Sequence, residues 1–300
     1  MLARRRPASL ALATVLAILA TGGVAAGGSA GEQPRCDGER ATIVAERGFV
    51  RGTDGPDVIV ATRRNENVEA RGGDDLICLR GRAFHEAYGE GGADRIFGSH
   101  GGDNIYPGAG DDRVRGRGGR DLITDLEATG DDRFKGGPGP DRIRFSSPYS
   151  TSSKPVEVDL AVGVSSGHGH DRISAIENVE GTTLGDVLIG DRLRNVLDGV
   201  RGGDQIRGAG GDDLIRGSTV RFGEGGGTAD PSAGDDPLLD GGAGDDRIFG
   251  RFGADRLRGS GGDDLLEGGG QPAGDPRGDT GNGGPGKDRC RELERQIGCE

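Results

Sequence analysis

Between Gly89 and Thr124 an Asp returns every nine residues, as Asp94, Asp103, Asp112 and Asp121, and two residues after each stands Ile96, Ile105, Val114 or Ile123. Glycines crowd the positions ahead of each acid. With 63 Gly, 13 Pro and 32% apolar residues in 300, such a chain without a period would read as disordered. A fixed short period overrules that reading and points to stacked repeats. Gly-rich sextets adopt turns that side chains forbid, and the three residues after each turn form a short strand whose middle residue faces one way and whose flanks face the other.

With Asp at position six and the aliphatic at eight, units 89–97, 98–106, 107–115 and 116–124 are contiguous. Units 52–60, 70–78, 127–135 and 136–144 share the frame. Unit 61–69 keeps Val68 but has Glu66 for Asp, and 79–88 is one residue too long and carries no Asp. A second array runs through 181–189, 190–198, 199–207 and 208–216, is interrupted by "GSTVRFGEGGGTAD", and resumes at 231–239, 241–249, 250–258 and 259–267. Asn195 replaces Asp in one unit. The inward residues expected are Val50, Ile59, Val68, Ile77, Ile96, Ile105, Val114, Ile123, Phe134 and Ile143, then Leu188, Leu197, Ile206, Ile215, Leu238, Ile248, Leu257 and Leu266. Two units make a coil of eighteen residues, and successive coils stack as parallel strands about 4.8 Å apart, giving two thin sheets that face each other in a solenoid.

Same-side turns then bring Asp94 beside Asp112, and Asp103 beside Asp121. Two carboxylates about 5 Å apart repel by a few kcal/mol at an effective dielectric near 20. A hard divalent cation reverses the sign. Calcium suits such a site because it accepts six to eight oxygens in irregular geometry, and the glycine turns supply backbone carbonyls.

The units resemble the repeats-in-toxin (RTX) nonapeptide, G-G-x-G-x-D-x-aliphatic-x, over about two thirds of the chain after residue 26. The resemblance implies an all-β fold, a right-handed parallel β-roll solenoid in two repeat arrays with no catalytic domain. It implies several calcium ions held between same-side turns, with ligand candidates Asp57, Asp75, Asp94, Asp103, Asp112, Asp121, Asp132, Asp141, Asp186, Asp204, Asp213, Asp236, Asp246, Asp255 and Asp264. The segment from Val156 to Gly199 is similar to the stretch leading into the roll of serralysin-type secreted proteins. The two ends, "CDGERATIV" and "GGPGKDRCRELERQIGCE", look like those of small secreted actinobacterial calcium-binding proteins.

Arg4, Arg5 and Arg6, the apolar run from Leu10 to Ala20 and small residues up to Ala26 read as a signal peptide cleaved after Ala26, too short to span a bilayer. Its removal leaves 35 basic against 50 acidic residues, a formal −15 from the full chain's −12. That balance excludes nucleic acid and implies a cationic partner. Four cysteines fit the oxidising exterior, and of three pairings Cys36–Cys78 with Cys290–Cys299 is favoured because each pair closes one end of the array. The domain reading is 1–26 signal peptide, 27–42 extension, 43–144 first array, 145–180 intervening strands, 181–267 second array, and 268–300 Gly-rich linker and Cys-containing tail with a short helix over 288–298.

Enzyme signatures are weak. His85 to Gly89 lacks the second His of H-E-x-x-H, and Gly163 to Gly167 spells G-x-S-x-G ahead of His168, His170 and Asp171 but without strand–turn–helix context. "RGD" at 277–279 and "GNGGPGK" at 281–287 are chance matches in so Gly-rich a chain. The leading reading is a secreted, non-enzymatic calcium-binding protein that folds on binding the ion. The alternatives are an extracellular adhesive or surface-matrix protein that uses the roll as scaffold, and a secreted hydrolase using Ser165. Self-association and cell-surface contact remain open as partner classes.

Overall fold

The computed structural model describes residues 33–45, 48–62, 66–126, 129–146, 154–218, 234–269 and 278–300; the proposed signal peptide and the RGD arginine lie outside them. Among the described residues the secondary structure is strand alone. Alternate units enter alternate sheets, one of fifteen strands and one of twelve among the described residues. Arg113–Arg115 lies parallel between Arg95–Phe97 and Arg133–Lys135, with Val114 opposite Ile96 and Phe134. In the other sheet Ile105 sits opposite Ala87 and Ile123. The eighteen-residue coil therefore follows from the nine-residue unit.

The central residue of each triplet is buried and its flanks are not, as in the exposed–buried–exposed pattern of Arg113–Arg115. One continuous apolar cluster extends from Ala45 to Leu266, so the two arrays share a core. Phe145, Val156, Val158, Ile173, Ile176 and Val179 carry that core through the intervening segment. There the sheets part company. The fifteen-stranded sheet takes in Glu157–Asp159, Val164–Ser166 and His170–Ser174, with Val164–Ser166 antiparallel to both others. The twelve-stranded sheet takes in Asn178–Glu180 alone, between Arg142–Arg144 and Val196–Val200.

The expected inward set is buried, except that Val50 is only half-buried against the cluster and Leu238 yields to Leu239. Pro237 has no N–H for the ladder. The strand starts one residue later, and Leu239 rather than Leu238 faces Ile206 and Leu257. The overlong unit 79–88 resolves similarly: Leu79 extends the preceding strand, His85 takes position six, and Ala87 points inward between Val68 and Ile105.

The expected helix over 288–298 is replaced by strands Arg289–Arg291 and Arg295–Ile297. With Thr280–Asn282 they continue both sheets, so the tail from residue 278 onward is roll rather than linker.

Both favoured disulfides form. Cys36 belongs to a hairpin, Arg35–Cys36 with Glu39–Arg40, that covers the outer face of the first strands. Beneath it Val60, Leu76, Cys78 and Phe97 make a second apolar cluster, which a repeat-only reading treats as solvated. The Cys36–Cys78 crosslink spans 42 residues, a closure on the order of 4 kcal/mol in the chain-entropy picture. Replacing both cysteines by serine should lower the melting midpoint and open this face to a hydrophobic dye. An unchanged midpoint without dye uptake would contradict the capping role.

Candidate metal centres

Each turn ends on its position-six residue just before the strand. In most turns positions two and four are left-handed, as with Gly108 (φ 102°) and Gly110 (φ 129°) in unit 107–115; the turns leading to Asp57, Asp103, Asp186 and Asn195 lack that conformation at both positions. Either geometry turns the position-six backbone toward the next coil. The N–H of Asp57 donates to Oδ1 of Asp75 at 2.7 Å, Asp75 to Asp94 at 2.8 Å, Asp94 to Asp112 at 2.8 Å, and Asp112 to Asp132 at 2.7 Å. The column resumes from Asp186 through Asp204, Asp236 and Asp255 to Asp279. On the opposite side Asp103, Asp121 and Asp141 link in the same way, then Asn195, Asp213, Asp246, Asp264 and Asp288.

This ladder uses one oxygen of each carboxylate. The second, Oδ2, divides the fifteen expected ligands into two classes. In Asp75, Asp94, Asp112, Asp121, Asp132, Asp141, Asp204, Asp213, Asp236, Asp246, Asp255 and Asp264 it is buried and receives no hydrogen bond. In Asp57, Asp103 and Asp186 it accepts the backbone N–H of Thr53, Ser99 and Thr182, at 2.7, 2.6 and 2.6 Å. Those three turns carry Ser or Thr at position two, and the hydroxyl also bonds the same carboxylate. The sequence pattern groups all fifteen; the structure satisfies three of them without an ion.

The orphaned oxygens point at a space walled by more oxygen. A Cβ built on Gly89 would collide with Asp94 Oδ2 and with the Pro107 carbonyl of the next coil; on Gly259 it would meet Asp264 Oδ2 and the Gly283 carbonyl. The twelve residues are at most 2% exposed. Burial pushes their carboxyls up: Asp94, Asp141 and Asp264 to about 6, Asp75, Asp121, Asp132, Asp213 and Asp246 to about 7, Asp112 and Asp204 to about 8. Asp236 and Asp255 also rise, by burial first, then by the Asp255 charge on Asp236 and the Asp279 charge on Asp255. Buried anionic oxygens without donors, lined by carbonyls, fit a hard cation with oxygen ligands. Among the described residues no three His, Cys, Asp or Glu side chains converge to hold a metal ion, so a cation in the columns depends on backbone carbonyls for most of its oxygens.

A family model for the RTX calcium-binding nonapeptide repeat, four copies long, matches residues 51–80, 88–123, 128–144, 189–219 and 240–271. These segments are RTX calcium-binding nonapeptide repeats. No curated protein matches it significantly. The RTX repeats are of the calcium-binding type, and the matched segments contain eleven of the twelve aspartates with an orphaned oxygen, Asp236 lying outside them.

Other members of the columns escaped the sequence reading. Asp171, Asp279 and Asp288 occupy position six in registers hidden by insertions, and Glu177 and Glu294 accept the N–H of Asp141 and Asp279. A second, exposed ladder uses position five: Asp74, Asp111, Asp212, Asp245 and Asp263 each accept the N–H of the next coil. Its signal was the recurrent Asp-Asp pair.

The hydrolase constellation is arranged differently from its letters. Ser165 Oγ donates to Asp171 Oδ2 at 2.7 Å, while the buried His168 ring lies 3.9 Å from Asp125 and edge-on to Phe145. His85, from the H-E-x-x-H fragment, opens the strand His85–Gly91, and its N–H donates to Asp103.

Proposed function

We propose that this RTX protein is exported through its N-terminal leader and acts by binding calcium reversibly, in reactions coupled to folding. The observation that carries the reading is the pair of columns in which the second carboxylate oxygen of twelve of the fifteen expected aspartates is buried without a hydrogen-bond donor. Each of those Asp residues supplies charge to an ion, and the carbonyl of the adjacent coil supplies neutral oxygen. Bound ions neutralise columns that otherwise oppose stacking. Extracellular modules of this kind bind in the range of about 10⁻⁴–10⁻³ M, so arrival outside the cell triggers folding. The leader and the two disulfides support export.

Isothermal titration of residues 27–300 tests this. Calcium should bind at several sites per chain and deepen the β signal in circular dichroism. Magnesium, which demands tight octahedral geometry, should not substitute at equal concentration. Absence of calcium heat and of any spectral change would overturn the reading.

A further inference from the structure

The recurrent Asp residues of the repeats sit in the turns, whereas Arg recurs at outward strand positions. In the fifteen-stranded sheet, parallel in-register pairing places Arg95, Arg113, Arg133 and Arg172 in one outward column. Two residues along, Arg115 and Lys135 stand opposite each other in a second. Like charges directly opposite on a sheet destabilise it, so the arrangement needs a counter-charge. Arg95 has one: the capping hairpin brings Asp37 and Glu39 to its guanidinium. Arg113, Arg115, Arg133, Lys135 and Arg172 are exposed and form no ion pair among the described residues. The patch ends at Glu157 and Asp159, in a strand beyond Arg172.

We infer that this face binds a linear anionic polysaccharide with an acidic group on each sugar. The hairpin shows how a carboxylate-bearing segment lies on the column, and only the first member is covered from within. Beyond it the cations repeat at the strand spacing of about 4.8 Å, close to the repeat of an extended sugar chain. Guanidinium forks pair bidentately with carboxylate or sulfate. A flat β face accepts an extended polymer along the roll axis.

The formal charge of −15 on residues 27–300 opposes such a partner, but eight divalent ions, at two charges each, outweigh it. Calcium loading therefore switches the long-range field from repelling to permitting polyanion approach. This ion dependence rests on the calcium reading above; the surface itself does not.

The test uses residues 27–300 and immobilised chondroitin sulfate, in millimolar CaCl2 and in EDTA, with circular dichroism of every variant. Wild type should be retained in calcium and released by salt. Arg113→Ser/Arg133→Ser/Arg172→Ser should weaken retention roughly tenfold or more, since three charge-assisted contacts are lost, with its calcium-induced spectrum intact. The corresponding triple Lys variant should keep most of it. Arg247→Ser/Arg289→Ser, on the other sheet, should change nothing. No wild-type retention despite normal calcium-induced folding, or equal retention of the Ser triple variant, would overturn the proposal. So would preference for single-stranded DNA or polyglutamate over the glycan. A missing spectral response to calcium would instead strike the proposed function, while Ser-sensitive retention in EDTA would still decide the surface.

Discussion

Stripped of divalent ions at pH 7.5, the roll should lose most of its β signal, and acidification to pH 5 should restore much of it without any metal. Burial raises the column carboxyls to about 6 for Asp94, about 7 for Asp121 and Asp132 and about 8 for Asp112, while in the unfolded chain they titrate near 3.9. A raised folded-state pKa means that the folded form binds more protons than the unfolded one. Its stability is then fully present below about pH 4 and is lost as pH rises through 6 to 8. Each pKa unit costs the charged form about 1.4 kcal/mol. Several such groups therefore outweigh the roughly 5–15 kcal/mol that holds a typical domain.

Calcium inverts the slope. It requires the carboxylates charged, so its affinity should fall on acidification, and binding near pH 7 should release protons. Titrations in buffers of different ionisation heat count them. A metal-free melting midpoint that stays flat or climbs between pH 5 and pH 8 would refute this account of the columns.

What the sequence made legible was whatever recurs at nine. Ile96, Ile105, Val114 and Ile123 are all buried as their spacing requires, and the Asp two residues before each lies in a column. What it hid has three physical causes. Register shifts came from single residues whose backbone chemistry breaks the count, as Pro237 does for Leu239. Non-consensus residues took consensus places: His85 fills position six, and Glu294 continues a column beyond Asp279. Outer-face burial has no periodic signature, because the hairpin that covers Leu76 and Phe97 is held by one crosslink and by ion pairs to Arg95. The class of each candidate ligand was only partly readable. Thr53, Ser99 and Thr182 at position two satisfy their carboxylates locally, whereas Ser260, left-handed at φ 80°, turns its hydroxyl to Asp240 and leaves Asp264 Oδ2 unbonded.

The columns also contain their own neutral variant. Asn195 occupies position six, donates its N–H to Asp213, accepts from the Asp191 N–H at 2.8 Å, and gives its amide to the Glu177 carbonyl at 2.9 Å. Asn195 thus keeps the backbone half of the ladder, turns its Oδ1 to its own turn, and spends its amide hydrogen on a carbonyl of the preceding coil. Asp112→Asn and Asp132→Asn should therefore have opposite effects in the two conditions. Without metal at pH 7.5 each removes a buried carboxyl that resists ionisation and should stabilise the roll by a few kcal/mol. In millimolar calcium each removes charge from an ion's ligand set. Fewer ions should bind, and the melting midpoint should fall below that of wild type. The measurement is the midpoint of each variant in EDTA and in CaCl2, with bound calcium counted by titration. Destabilisation of the same size in both conditions would mean that these carboxylates serve as hydrogen-bond acceptors alone, and the case for metal in the columns would fall with it. A crossover of the two curves requires charge, burial and ion binding at the same residues.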